Sequence, residues 1–363
     1  MRVFHVDSAR TWRGGQNQVL LTAAGMQHRG HRVTVVCQAG GELETRAREA
    51  GLDVRGVRFR GDLSPGATLA LARLLRREPP DAMQLHDPHA AAAGALAARL
   101  AGARLTLATR RVDFPLRGGL SLWKYRSTQG VIAVSRAIAS VLVSAGIPSE
   151  RVRLVYEGVR DRPPQPGGRE LLGELGVPRD APVVGNVAAL TGHKDHATLI
   201  QAAARVVDRL PEARFVVVGE GQLRTRLQAQ VRDLGLERNW VFAGFRNDLD
   251  RLLPAFTVFC LSSHLEGLGT SLLDAMCFAR PVVATAAGGI PEAVVDGVTG
   301  HLVPVRDAAA LADALVHVLR DADTRTAMGR AGRQRFEEQF TEDRMVEATL
   351  GVYRELHGGD EAR

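Results

Sequence analysis

Short apolar, β-branched runs alternate with stretches of helical periodicity along this chain. In the first half, Val3–Val6, Arg32–Cys37, Met83–His86, Arg104–Ala108 and Gly130–Ala133 predict strands. Gly15–His28, Leu69–Arg76, Ala90–Leu100 and Arg136–Ala145 predict the helices between them. A second set follows, with strands at Val183–Ala188, Arg214–Val218, Trp240–Ala243, Val258–Leu261 and Pro281–Ala284. Its helices are expected at Ala197–Arg209, Leu223–Leu234, Ser271–Phe278, Ala308–Leu319 and Thr324–Glu338. Such alternation builds parallel sheets wrapped by helices, an α/β architecture.

Between the two sets lies Gly158–Gly168, GVRDRPPQPGG, whose three Pro and three Gly mark a linker. A chain of 363 residues exceeds the usual single core. The expectation is therefore two Rossmann-like domains, 1–165 and 166–343, facing each other across a cleft. A last amphipathic stretch, about 344–357, is expected to cross back onto the first domain. In such sheets ligands bind at the carboxyl ends of the strands.

Charge adds an asymmetry. The net charge is +7, yet residues 1–165 hold 25 Lys and Arg against 13 Asp and Glu, and the remainder holds 22 against 27. A basic first half attracts an anionic acceptor or a membrane surface. No nucleic-acid recognition motif accompanies it, so nucleic acid is not an expected partner. The run Arg111–Arg126, RVDFPLRGGLSLWKYR, has two readings: an amphipathic segment lying on anionic lipid, or a partly buried loop whose cations face water. Cys37, Cys260 and Cys277 sit in strand-like or helical runs and read as buried free thiols in a reducing compartment. No run of about 18 apolar residues occurs, and no charged-then-apolar leader precedes the first strand. A cytoplasmic protein is expected, with peripheral contact at the inner membrane face as a further option.

The densest chemistry lies in Ser262–Glu292. Glu266 precedes the turn Gly267-Leu268-Gly269, and Thr270 and Ser271 open an apolar helix carrying Asp274. A glycine turn running into a helix start offers backbone N–H groups and the positive end of the helix dipole to phosphate. With Thr270 as N-cap, Asp274 is expected within about the first turn, tilted back toward the same mouth. An anion cradle flanked by two carboxylates suits a ligand with a diphosphate and many hydroxyls, a sugar nucleotide.

Other motifs join it. Lys194 is one of two lysines, with Lys124, and falls in a loop between a strand and a helix start, where an ammonium suits a diphosphate leaving group. Gly14-Gly15-Gln16 follows the first strand as a phosphate-approach turn would, though geometry alone can require those glycines. Gly219-Glu220-Gly221 closes another strand and reads equally as a turn. His86-Asp87-Pro88-His89 and Arg110-Arg111 end strands of the first half, where they read as acceptor contacts or as satisfied turn residues. Asp248-Leu249-Asp250 reads as a solvated helix cap rather than a metal site, since no His or Cys accompanies it. No metal or cofactor is expected.

Together these residues resemble the retaining glycosyltransferases of family 4, which have the GT-B fold; the likeness spans the whole chain and is strongest over Val183–Pro304. The family's two carboxylates, with seven residues between them, map onto Glu266 and Asp274, its glycine loop onto Gly14-Gly15, its donor-phosphate lysine onto Lys194, and its GGIPE segment onto Gly288–Glu292. The resemblance implies Lys194 and Glu266 as the catalytic pair, with Glu266 on the donor sugar. It places Asp274 on the ribose, and Gly14, Gly15, Gly219, Phe245, Gly267, Leu268, Gly269, Thr270 and Ser271 around the donor. His86, Asp87, Arg110 and Arg111 are left to the acceptor, which is a glycan, a glycolipid or a small molecule. The implied reaction is metal-independent sugar transfer with retention, in synthesis of a cell-envelope glycan, lipopolysaccharide or glycolipid. Three departures stand out: Ala189 replaces the usual Arg five residues before the lysine, Asp274 replaces a Glu, and the family's frequent His has no counterpart at Arg110-Arg111-Val112. They keep a catalytically silent sugar-nucleotide binder in view, and an epimerase or phosphorylase would keep the fold but change the reaction.

Overall fold

The computed structural model describes residues 1–61, 64–116 and 118–358. It divides into two compact units, Met1–Arg160 with the segment that begins at Thr341, and Asp161–Phe340. The boundary falls inside the Pro/Gly segment. Val159 pairs with Thr341 in an isolated parallel bridge, so the chain leaves and re-enters the first unit side by side.

The first unit has seven parallel strands: β1 (Arg2–Asp7), β2 (Arg32–Gln38), β3 (Asp53–Val57), β4 (Ala82–Leu85), β5 (Thr106–Arg110), β6 (Gly130–Ala133) and β7 (Val152–Leu154), in the order β3-β2-β1-β4-β5-β6-β7. The second has six: β8 (Val183–Val187), β9 (Arg214–Val218), β10 (Trp240–Gly244), β11 (Val258–Leu261), β12 (Val282–Thr285) and β13 (Gly300–Val303), in the order β10-β9-β8-β11-β12-β13. Each is a Rossmann-like sheet whose order reverses between its first and fourth strands, β1 and β4 in one, β8 and β11 in the other. Such a switch point is where ligands sit in open α/β sheets.

Burial on both faces explains why the central strands read as unbroken apolar runs. Val258, Phe259, Cys260 and Leu261 of β11 are all fully buried. Three strands were not expected from the sequence, β3, β7 and β13, and all three are sheet edges. Their polar residues face outward: Arg55 of β3 reaches Glu78 at 3.6 Å, and Arg153 of β7 pairs with Glu355 at 2.7 Å.

The helix Glu342–Gly358 packs on the helix Gly14–His28 of the first unit. Val346 and Tyr353 are fully buried there, and the Tyr353 hydroxyl donates to Gln84. The run Arg111–Arg126 is not one amphipathic helix. Among its described residues Leu120–Arg126 is helical, and its Lys124 and Tyr125 are buried against the first unit's core, while Val112, Phe114 and Leu120 are exposed. All three cysteines are buried and free. Among the described residues no helix is long and apolar enough to cross a membrane.

Candidate active site

In the second unit, two loops meet at the switch point. The loop after β8 carries Lys194 in a single 3-10 turn, Gly192–Lys194, and leads through Asp195 into the helix His196–Val207. The loop after β11 carries Ser262, Ser263 and Glu266. Side chains and backbone stitch the two together. The Ser262 hydroxyl is shared between the carbonyls of Lys194 and Asp195, each at 3.0 Å, and the His264 N–H donates to the His193 carbonyl at 2.9 Å. The Lys194 ammonium donates to Glu266 Oε2, which also accepts from the Ser263 hydroxyl at 3.1 Å. These side chains are 18% and 12% exposed, so the pair is shielded but reachable.

Beneath this loop, His196 donates from Nε2 to Asn186 Oδ1 at 3.1 Å, and Asn186 donates to the Cys260 carbonyl at 2.8 Å. Burial, with Lys194 and His193 nearby, pulls the His196 imidazole down to about 4, so it is neutral. Beyond Glu266 the chain turns through Gly267, Leu268 and Gly269 into the helix Thr270–Cys277. Gly269, not Thr270, is the N-cap; its φ of 92° is left-handed, which favours glycine and explains why a threonine does not hold that position. Gly269 has no side chain to cap this helix start, and the first N–H groups of a helix lack intrahelical acceptors. The GGIPE segment closes in from the other side, where the Gly289 N–H donates to the Glu266 carbonyl at 3.1 Å.

Moving the cap back by one residue moves Asp274 out of the first turn, which holds no acidic residue. Asp274 does not stand alone at the mouth either. Its Oδ1 accepts from Arg162 at 2.8 Å, and Arg162 also pairs with Asp250. The Asp248 side chain, at the N-cap position of the helix Leu249–Ala255, makes no cap bond and pairs with Arg246 instead. Gly219 and Gly221 lie against the loop after β8, with the Ala188 N–H donating to Val218 and the Leu190 N–H to Glu220, both at 3.0 Å. Phe245, just past β10, is 56% exposed.

The first unit gathers its own cluster at the ends of β1 and β4. Asp87 accepts from the Ser8 N–H and hydroxyl, both at 2.6 Å, and from the N–H groups of His89 and Ala90, capping the helix Pro88–Ala101. Arg111 pairs with Glu157 at 2.9 Å and donates to His86 through its carbonyl and Nδ1, both at 3.1 Å. His86 Nε2 in turn meets His5 Nδ1 at 2.8 Å. With Nδ1 accepting from Arg111, the network assigns the His86 proton to Nε2 and the His5 proton to its own Nε2, a buried donor with no partner among the described residues. Burial first and Arg111 second hold both rings neutral, His5 down at about 3 and His86 well below its usual range. Asp7 accepts from the Ala9 N–H at 2.9 Å and from the Gln16 amide; burial and neighbouring Asp87 push its carboxyl up to about 6. Gly14 and Gly15 begin the helix Gly14–His28, and a Cβ added at Gly15 would stand 3.8 Å from the Arg111 side chain. Arg110 turns inward to the Tyr125 hydroxyl at 3.3 Å and the Phe114 carbonyl.

Sequence comparison decides the family. Residues 169–335 match the pattern described as "Glycosyl transferases group 1", and residues 12–162 match "Glycosyltransferase Family 4". Alpha-maltose-1-phosphate synthase of Mycolicibacterium smegmatis is 33% identical over 75% of this chain and 78% of its own. The lipopolysaccharide core biosynthesis glycosyltransferase LpsE of Rhizobium meliloti is 30% identical over 78% of each. The chain belongs to glycosyltransferase family 4. Its GT-B fold is that of Anabaena Alr3699/HepE, crystallised with UDP and glucose, at a TM-score of 0.87 and 22% identity over 98% of this chain and 100% of that one.

For this glycosyltransferase the structure joins Lys194, Glu266 and the Gly267–Ser271 turn in one place. It gives Asp87 and Arg110 internal partners, and it ties Asp274 to a residue of the linker. The partners that sequence reading missed are Ser263, Asn186 and His196 around the lysine loop, Asp7, His5 and Glu157 in the first unit, and Arg162. A strand-ending aspartate such as Asp7 carries a weak signal. An arginine within a Pro/Gly linker of an arginine-rich chain carries none. Among the described residues no group of three or more His, Cys, Asp or Glu is placed to hold a metal ion.

Proposed function

We propose that this glycosyltransferase moves a sugar from a nucleoside-diphosphate sugar to an acceptor hydroxyl, with retention at the anomeric carbon and without a metal ion. The Lys194–Glu266 pair beside the uncapped start of the helix Thr270–Cys277 carries the reading. An ammonium has three donors, so one bond to Glu266 leaves two for the diphosphate, which the helix N–H groups also favour. Glu266 then holds hydroxyls of the donor sugar, and Asp274 the ribose. As the bond from the anomeric carbon to phosphate breaks, the acceptor oxygen bonds on the same face and its proton passes to a phosphate oxygen. Lys194 and the helix start stabilise the charge growing on the leaving group, an electrostatic role with no enzymic nucleophile.

The crystallised complexes of HepE with UDP and with UDP-glucose support a uridine donor, and the name of LpsE supports a cell-envelope glycan as acceptor. In the first unit, Arg111 and its neighbours beside Gly14-Gly15 are the proposed acceptor side. The test is release of nucleoside diphosphate by Lys194→Ala. Loss of turnover by about 10²–10³ with normal folding is expected, and near-wild-type turnover overturns the assignment. One observation favours a second reading, a donor-binding protein without turnover: Ala189 leaves the loop after β8 without the family's usual guanidinium. Under that reading the wild type binds UDP-glucose and releases no UDP.

A further inference from the structure

Asp274 lies in the second turn of its helix with its side chain 20% exposed, and only one of its oxygens is engaged. Oδ1 accepts from Arg162 at 2.8 Å; Oδ2 has no hydrogen-bond partner among the described residues. Arg162 is itself anchored on three sides. Its Nε donates to Asp250, its guanidinium lies over the Phe278 ring at 5.3 Å, and its neighbour Asp161 is gripped by both terminal nitrogens of Arg333, at 2.7 and 2.8 Å. Such anchoring in a Pro/Gly linker concentrates on one small region, the face of the helix Thr270–Cys277 that carries Asp274.

We propose that Arg162 is a positioning residue for nucleotide recognition, holding Asp274 as a carboxylate with Oδ2 left for the vicinal hydroxyls of the donor's ribose. This rests on the donor reading above. An aspartate reaches one methylene less far than a glutamate, so fixing its rotamer lowers the ordering cost of each hydroxyl it receives. Arg162 also acts on its titration. Burial raises the Asp274 carboxyl, as does Asp250 from the helix Leu249–Ala255, and Arg162 opposes both. Cys277, one turn along, and Arg333, which donates to the Cys277 carbonyl, are the other polar groups on that side. Without Arg162, Asp274 takes up a proton more readily, and a carboxylic acid accepts fewer hydroxyl protons than a carboxylate.

The test is calorimetric titration of wild type and Arg162→Met with UDP, GDP and ADP, then with the 2′,3′-dideoxy form of the tightest binder, from pH 5.5 to 8. Arg162→Met is expected to weaken the ribonucleotide about tenfold, more at the acid end, and the dideoxy nucleotide less than about twofold. An equal loss for both nucleotides, or none, overturns the proposal while leaving the donor reading intact. Failure of wild type to bind any of the three overturns both. Should Arg162→Met not fold, Arg162→Lys carries the same comparison, since an ammonium keeps the charge but lacks the planar fork that engages Asp250 and Asp274 together: a loss confined to the ribonucleotide supports the proposal, and an unselective loss rejects it.

Discussion

Lys194 and Glu266, 72 positions apart in sequence, form one shielded ion pair between the loop after β8 and the loop after β11. Ser263 fills another site on the same carboxylate oxygen. Removing one partner leaves a charge in a region that admits little water. Urea denaturation of Lys194→Met, Glu266→Gln and the double variant is expected to give a coupling energy of about 1–3 kcal/mol. Additive single effects would show that the pair is an incidental contact in the ligand-free protein.

Gly219 is held by its neighbours, not only by turn geometry. A Cβ there would stand 2.0 Å from the Ala188 carbonyl oxygen, and φ is 144°. Gly219→Ala is expected to cost about 2–5 kcal/mol, because clash and backbone strain add. Gly235→Ala is the control: its φ is 66°, but no atom lies within 4 Å of the new methyl, so only about 1 kcal/mol is expected. Equal melting temperatures for the two variants would refute the close approach of the loop after β8 to the end of β9.

Acid should destabilise the protein through buried neutral histidines. His196 in the folded state sits at about 4 against an ordinary 6.5, and His5 at about 3. A lowered folded value means that the unfolded chain binds the proton first, so this stability is complete above about 6.5 and drains as pH falls toward 4. Asp7 works the other way: raised to about 6 from 3.8, it costs stability at neutral pH and relieves that cost as pH drops through 6. Three buried histidines, counting His86, outweigh the two raised carboxylates, Asp7 and Asp274. Stability is therefore expected to fall between pH 7 and 5, and His196→Gln to flatten that fall by about 1–2 kcal/mol. An unchanged pH profile in the variant would mean that His196 titrates normally in the fold.

The central strands of both sheets were legible because each is buried on both faces and must be apolar throughout. Arg214–Val218 and Val258–Leu261 are read from sequence with the bounds they have in the structure. The edges β3, β7 and β13 were not. An edge strand has one neighbour and one side open to water, so it tolerates Asp53, Arg55, Arg153 and His301, and alternation over three to five residues is too short to stand out. The helix Thr270–Cys277 was legible to within a residue, yet its cap was not. Thr270 is the better N-cap by composition, but the turn demands a left-handed residue and Gly269 takes the position.

By itself the sequence determined two alternating β/α sets, the break between them, and the residue types of a phosphate site, because period and glycine placement are local properties. The pairing of Lys194 with Glu266, the internal commitments of Asp87 and Arg110, and the capture of Asp274 by Arg162 were decided by tertiary structure alone. Each depends on which strands become neighbours and where a linker is pinned. Those distances are set only when parallel strands cross over into one sheet, bringing loops dozens of residues apart to the same end.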